Sequence, residues 1–212
     1  MSYRRSNALL ANAVLGLSLL FLTACIENVQ LTEAADRGLQ PASGPTNIAV
    51  LNDAVAVAGP VGYCIDTQAT RESDIEAFVL LVRCRGTLRP APVLTATVTG
   101  LPAPDSDDPD SLRRLTNFLS TPAGRAQLSR SGDPADVTVQ EITYANSAIW
   151  LKIEDSGNPS SFDPTYWRAI LPIAGRIVTL SVLAASEHPL ENGSGLATLR
   201  RFVTRMRRVN ER

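Results

Sequence analysis

The order in which apolar periodicity changes along this chain constrains its fold more than any other feature. Alternation marks strands, and a spacing of three and four residues marks helices. Residues 148–154 alternate most cleanly, with Ile149, Leu151 and Ile153 on one side and Trp150, Lys152 and Glu154 on the other. Earlier, residues 54–58 and, past Gly59-Pro60, residues 61–65 read as one strand with a break or bulge. Residues 67–75 are a polar connection to the apolar, β-rich run 78–82, and residues 93–99 alternate behind Pro90 and Pro92. Two helix starts follow: Asp108-Pro109, leading to an apolar face of Leu112, Leu115, Phe118 and Leu119, and Thr121-Pro122, opening a short helix to about Ser129. Residues 137–143, 166–171 and 176–185 complete the strands, with turns at 144–147 and 172–175 and a polar loop at 156–164. The chain closes on a helix at 194–210, with Leu196, Leu199, Phe202, Val203, Met206 and Val209 on one face and Arg200, Arg201, Arg205, Arg208 and Arg212 on the other.

Three strands, a helical pair, four strands and a final helix predict an α+β fold. The expected architecture is an antiparallel sheet of about seven strands, covered on one face by a central helical pair and a C-terminal amphipathic helix. That order resembles, in topology, the PsbP/DcrB-like fold over most of residues 55–209. The resemblance rests on element order alone and transfers no site residues. It implies a non-enzymatic accessory or assembly factor, as members of that group mostly are.

The N-terminus is organised differently. Arg4 and Arg5 precede an apolar run over residues 8–22, and Leu22-Thr23-Ala24-Cys25 closes it. This stretch resembles the signal peptide and lipobox of bacterial lipoproteins. The resemblance implies cleavage before Cys25, acylation of its thiol, and a membrane lipid as the first partner. The run is shorter than the roughly 20 apolar residues that span a bilayer, and Asn12, Gly16 and Ser18 interrupt it. Residues 1–24 are then a leader, 25–47 a flexible tether rich in Gly, Pro and Ser, and 48–212 a single periplasmic domain. Ile26 stands where the family's sorting rules associate aspartate with inner-membrane retention, which favours the outer membrane.

Removing the leader's two arginines takes the basic count from 20 to 18 against 21 acidic residues. No nucleic-acid partner is expected from that balance. With Cys25 given to lipid, Cys64 and Cys84 remain as an even pair in an oxidising compartment. Their spacing fits two neighbouring antiparallel strands joined by a disulfide.

Chemistry-bearing groups are sparse. The single histidine, His188, has Ser181, Ser186 and Ser194 as nearby hydroxyls in sequence, but no Gly-x-Ser-x-Gly elbow is present, and no catalytic residue is assigned. Asp105, Asp107, Asp108 and Asp110 crowd one loop without calcium-loop order, so they read as helix N-terminal charge and no metal or cofactor is expected. Gly193-Ser194-Gly195 reads as a flexible cap with Ser194 capping. Trp150, Tyr166 and Trp167 are candidate anchors for an envelope protein partner if they share one exposed face. Arg200, Arg201, Arg205 and Arg208 are candidate contacts to an anionic membrane surface. The sequence thus points to a membrane-anchored envelope lipoprotein acting as a non-catalytic interaction or assembly accessory. The alternative is a small-ligand or lipid-binding module between sheet and helix, with a hydrolase a distant third.

Overall fold

The computed structural model describes residues 43–85, 91–103, 109–157, 161–191 and 193–211. The proposed leader, Cys25, Arg212 and the loop carrying Asp105, Asp107 and Asp108 lie outside the described residues. Two small strands come first, β1 (Asn47–Val50) and β2 (Val55–Ala58). They form a separate hairpin whose turn holds Leu51, Asn52 and Asp53 at left-handed φ of 54°, 56° and 62°. The main strands are β3 (Tyr63–Glu72), β4 (Glu76–Arg83), β5 (Val93–Pro102), β6 (Val137–Ala145), β7 (Ala148–Asp155), β8 (Thr165–Ile173) and β9 (Arg176–Leu183). The helices are α1 (Pro109–Leu119), α2 (Pro122–Leu128) and α3 (Ser194–Asn210).

The seven main strands form one antiparallel sheet in the order β3-β4-β5-β9-β8-β7-β6. Two meanders therefore meet at the β5–β9 pair. The α1–α2 segment carries the chain from the centre of the sheet to its far edge, and the second meander returns inward. Two of its three connections are two-residue turns, Asn146-Ser147 (φ 52° and 51°) and Ala174-Gly175 (φ 48° and 73°), the positive-φ geometry that suits the twist of an antiparallel pair.

The α+β class and the seven-stranded count hold, but the helices cover opposite faces. Leu112 of α1, Leu119 and Leu128 pack with Phe78, Leu80, Ile149, Leu151, Ile153 and Tyr166 on one face. Leu199, Phe202, Val203 and Met206 of α3 pack with Leu94, Ala96, Val98, Trp167, Leu171 and Leu180 on the other. Covering on one face, as expected from the sequence, fails because β4 carries large apolar residues in both phases, Phe78 and Leu80 against Val79 and Leu81, as β8 does with Tyr166 and Ile170 against Trp167 and Leu171, and both phases need burial. The expected single strand over 54–65 also divides. Gly59-Pro60 and the turn at Gly62 (φ +90°) end one hairpin and begin the main sheet. The polar stretch from 67 extends β3 to Glu72, after a bulge stabilised by the Asp66 carboxylate, which accepts bonds from the Gln68 and Ala69 backbone N–H groups.

The ends of α3 fix its position. Gly195 approaches Trp167 so closely that a Cβ there would collide with the indole. At the other end, the Asn210 side chain accepts from Ala56 N (2.9 Å) and donates to Ala56 O (2.8 Å), as a strand neighbour would. Thr121 caps α2 as expected, its hydroxyl accepting from Gly124 N at 3.2 Å. Ser194 does not cap α3. Gly193 holds the cap position in a left-handed conformation, and the Ser194 hydroxyl donates to Glu191 O. Phe118, expected on the buried face of α1, is exposed. Among the described residues no helix is long and apolar enough to cross a membrane.

Candidate functional site

A groove of about 910 Å³ opens where the N-terminal end of β3 and the C-terminal end of β4 run beneath α3. Tyr63 and Arg83 form its floor. They stand directly opposite each other in the β3–β4 register. Arg201, Arg205 and Arg208 of α3 line one wall with Arg200, and Pro60, Val61 and Pro92 supply an apolar rim. Val61 is fully exposed.

The floor is held rigidly. The Arg83 guanidinium carbon lies 5.3 Å from the Tyr63 ring centroid, a cation–π distance. Gly62 leaves the space this guanidinium needs, since a Cβ there would stand 2.6 Å from Arg83 Nη1. The Tyr63 hydroxyl donates to Pro92 O at 3.1 Å. Burial pushes the Tyr63 phenol up to about 12, against the opposing pull of Arg83 and Arg201, so the ring stays a neutral donor.

Directly beside this pair, the Cys64 and Cys84 sulfurs lie 2.01 Å apart, the disulfide expected from the sequence. Tyr63 precedes one cysteine and Arg83 the other, and Cys84 N donates to Gly62 O at 3.0 Å. Strand alternation puts the disulfide on the opposite side of the β3–β4 ribbon, where it ties together the two strand ends that carry the floor.

The groove is electrostatically unbalanced. Among the described residues no carboxylate lines it, and α3 contains no acid along its whole length. Among the described residues, Arg83, Arg200, Arg201, Arg205 and Arg208 have no carboxylate within ion-pair distance. The Arg83 Nε is shut away from solvent and has no hydrogen-bond partner among the described residues. The sequence placed four of these arginines on one exposed face of the last helix. It missed Tyr63 and Arg83, whose only local mark is the cysteine that follows each.

The aromatic candidates do not form one exposed patch. Tyr166, 2% exposed, points to the α1–α2 face, where its hydroxyl donates to Leu128 O at 3.0 Å. Trp167, its neighbour on β8, points to the other face and is 9% exposed under α3. Trp150 shares that face, half-buried, its indole N–H donating to Ala145 O at 3.1 Å. Trp150 and Trp167 border a second, smaller cavity of about 490 Å³ on the other flank of α3, shared with Leu196, Val203, Arg200 and Arg207. The three rings are split because adjacent residues of a strand face opposite ways and both faces are covered.

His188 is exposed on the connection between β9 and α3, while Ser181 is buried in the sheet and bonded to Arg168 Nε at 3.1 Å. Asp110, the one described member of the acidic loop, pairs with Arg113 at 2.8 Å. Among the described residues no group of three or more His, Cys, Asp or Glu could hold a metal ion.

No protein-family model matches the chain. No curated protein matches it either. Among solved structures, it is similar to a point mutant of the protein Mog1, at 12% identity and a TM-score of 0.41, over 76% of this chain and 92% of that one. At that score the likeness carries no argument about function.

Proposed function

We propose that this protein is a bacterial envelope lipoprotein, held on a membrane through acylated Cys25 and presenting one periplasmic α+β domain as a non-catalytic interaction or assembly accessory. The observation that carries this reading is Leu22-Thr23-Ala24-Cys25 behind a basic, short apolar leader. The Cys64–Cys84 pair supports it, because a structural disulfide belongs to an oxidising compartment. Two or three acyl chains, at about 0.8 kcal/mol per buried CH₂, hold such a domain stably on a bilayer. The outer membrane is the favoured address, given Ile26 after the cysteine. Metabolic labelling with palmitate tests the reading. Wild type should incorporate label and Cys25→Ala should not. Equal labelling of both, or of neither, would sink the anchor.

A second reading, a small-ligand module between sheet and helix, is favoured by one observation: the unbalanced arginine groove between α3 and the β3–β4 ends.

A further inference from the structure

We infer that the groove beneath α3 is a binding site for a phosphate group borne on a small organic body. This inference rests on the small-ligand reading and is independent of the anchor.

The argument starts from charge. The proposed mature chain carries more acids than bases, yet five arginines surround one concavity with no acid among the described residues of its wall. A solvated basic face needs no concavity and is commonly laced with carboxylates one helical turn away. Here α3 offers none, so its arginines repel one another until an anion enters.

Geometry then selects the anion. A guanidinium forks onto two oxygens of a carboxylate or a phosphate. A single carboxylate saturates one fork. A phosphate with up to two charges and three free oxygens can take several. Arg83 is preorganised by the Tyr63 ring and by the space at Gly62, which leaves its terminal nitrogens to meet an anion. Arg201 is likewise steadied, its Nη2 donating to the buried Thr198 hydroxyl at 3.0 Å. These two guanidiniums line the same groove and form the core of the site. Arg205 and Arg208 extend the charge along the wall, and exposed Val61 with Pro60 and Pro92 gives the rest of the ligand an apolar surface.

The phosphate has two available sources, a phospholipid headgroup and a soluble phosphate ester. Isothermal titration of the purified full chain, in nonionic detergent, uses inorganic pyrophosphate as probe, with citrate and glucose beside it. The site predicts saturable 1:1 pyrophosphate binding. Arg201→Gln and Arg83→Gln should each weaken it by about tenfold or more, as expected for loss of a charge-assisted pair. Arg113→Gln, on the opposite face of the sheet and paired with Asp110, should leave it unchanged. Thermal unfolding checks that Arg83→Gln folds, and the exposed Arg201 keeps the test decisive if it does not. Phosphatidylglycerol doped into the same detergent micelles assigns the phosphate to lipid if it displaces pyrophosphate, and to a soluble ester if it does not. Citrate binding without pyrophosphate binding overturns the phosphate and leaves a small-ligand site standing. No binding of any probe, or equal weakening by Arg113→Gln, overturns both.

Discussion

Asp155 sits at the end of β7 with its side chain 0% exposed, and its replacement by alanine should be among the most damaging single changes in the domain. One carboxylate oxygen accepts from Arg130 N at 2.8 Å and from Arg130 Nε at 3.1 Å. The other accepts from Gly157 N at 3.0 Å. Asp155→Ala therefore strands two backbone donors and removes the buried carboxylate that faces Arg130, whose side chain is only 10% exposed. Removing one partner of a buried pair costs about 3–5 kcal/mol, because the survivor stays desolvated. For a domain of this size each kcal/mol lowers Tm by roughly 2–4 °C, so a fall of about 6–20 °C is expected. Asp155→Asn keeps an acceptor and should fall between. Replacing both partners with leucine should recover much of the loss, since no orphaned charge remains. Urea unfolding followed by tryptophan fluorescence measures all four proteins. A loss below about 1 kcal/mol for Asp155→Ala would refute the reasoning, placing the pair among solvent-screened surface bridges.

Three further expectations follow from the same structure. Phe202 is fully buried under α3, so Phe202→Ala should cost about 3–5 kcal/mol in urea unfolding. Exposed Arg201→Ala, on the same helix, should cost about 0.5 kcal/mol or less. Non-reducing peptide mapping should recover Cys64 and Cys84 linked, and breaking the bond should cost roughly 3 kcal/mol in the chain-entropy picture. Because the folded Tyr63 phenol is raised to about 12 from an unfolded 10.0, its contribution is fully present below pH 10 and is lost as pH rises to about 12. Tyr63→Phe should flatten that part of the alkaline unfolding profile. An unchanged slope would show that Tyr63 does not titrate with folding.

The last helix was legible from sequence because its apolar stripe has one period over seventeen residues and its bounds fall at 194–210 as read. The disulfide was legible because two cysteines remained once Cys25 was set aside. The two-sided sheet was not. Lys152 and Glu154 mark the Trp150 phase of β7 as outward, but a lysine can extend past a helix edge while its stem lies on apolar surface, and Lys152 Nζ ends 6.0 Å from the Trp167 ring. Nor does local sequence distinguish a bulged strand from two strands in different sheets, so 54–65 read as one element. The groove was half visible. A helical wheel shows an arginine face but not what stands opposite it. Tyr63 and Arg83, twenty residues apart, meet only through the β3–β4 register.

The central claim, a domain carried on a membrane by Cys25, is tested most directly by mass spectrometry of the N-terminal peptide from protein purified out of membranes. The account predicts a chain that begins at Cys25 and bears a diacylglyceryl thioether. An unmodified Cys25, or a mature chain that begins at any other residue, would contradict it.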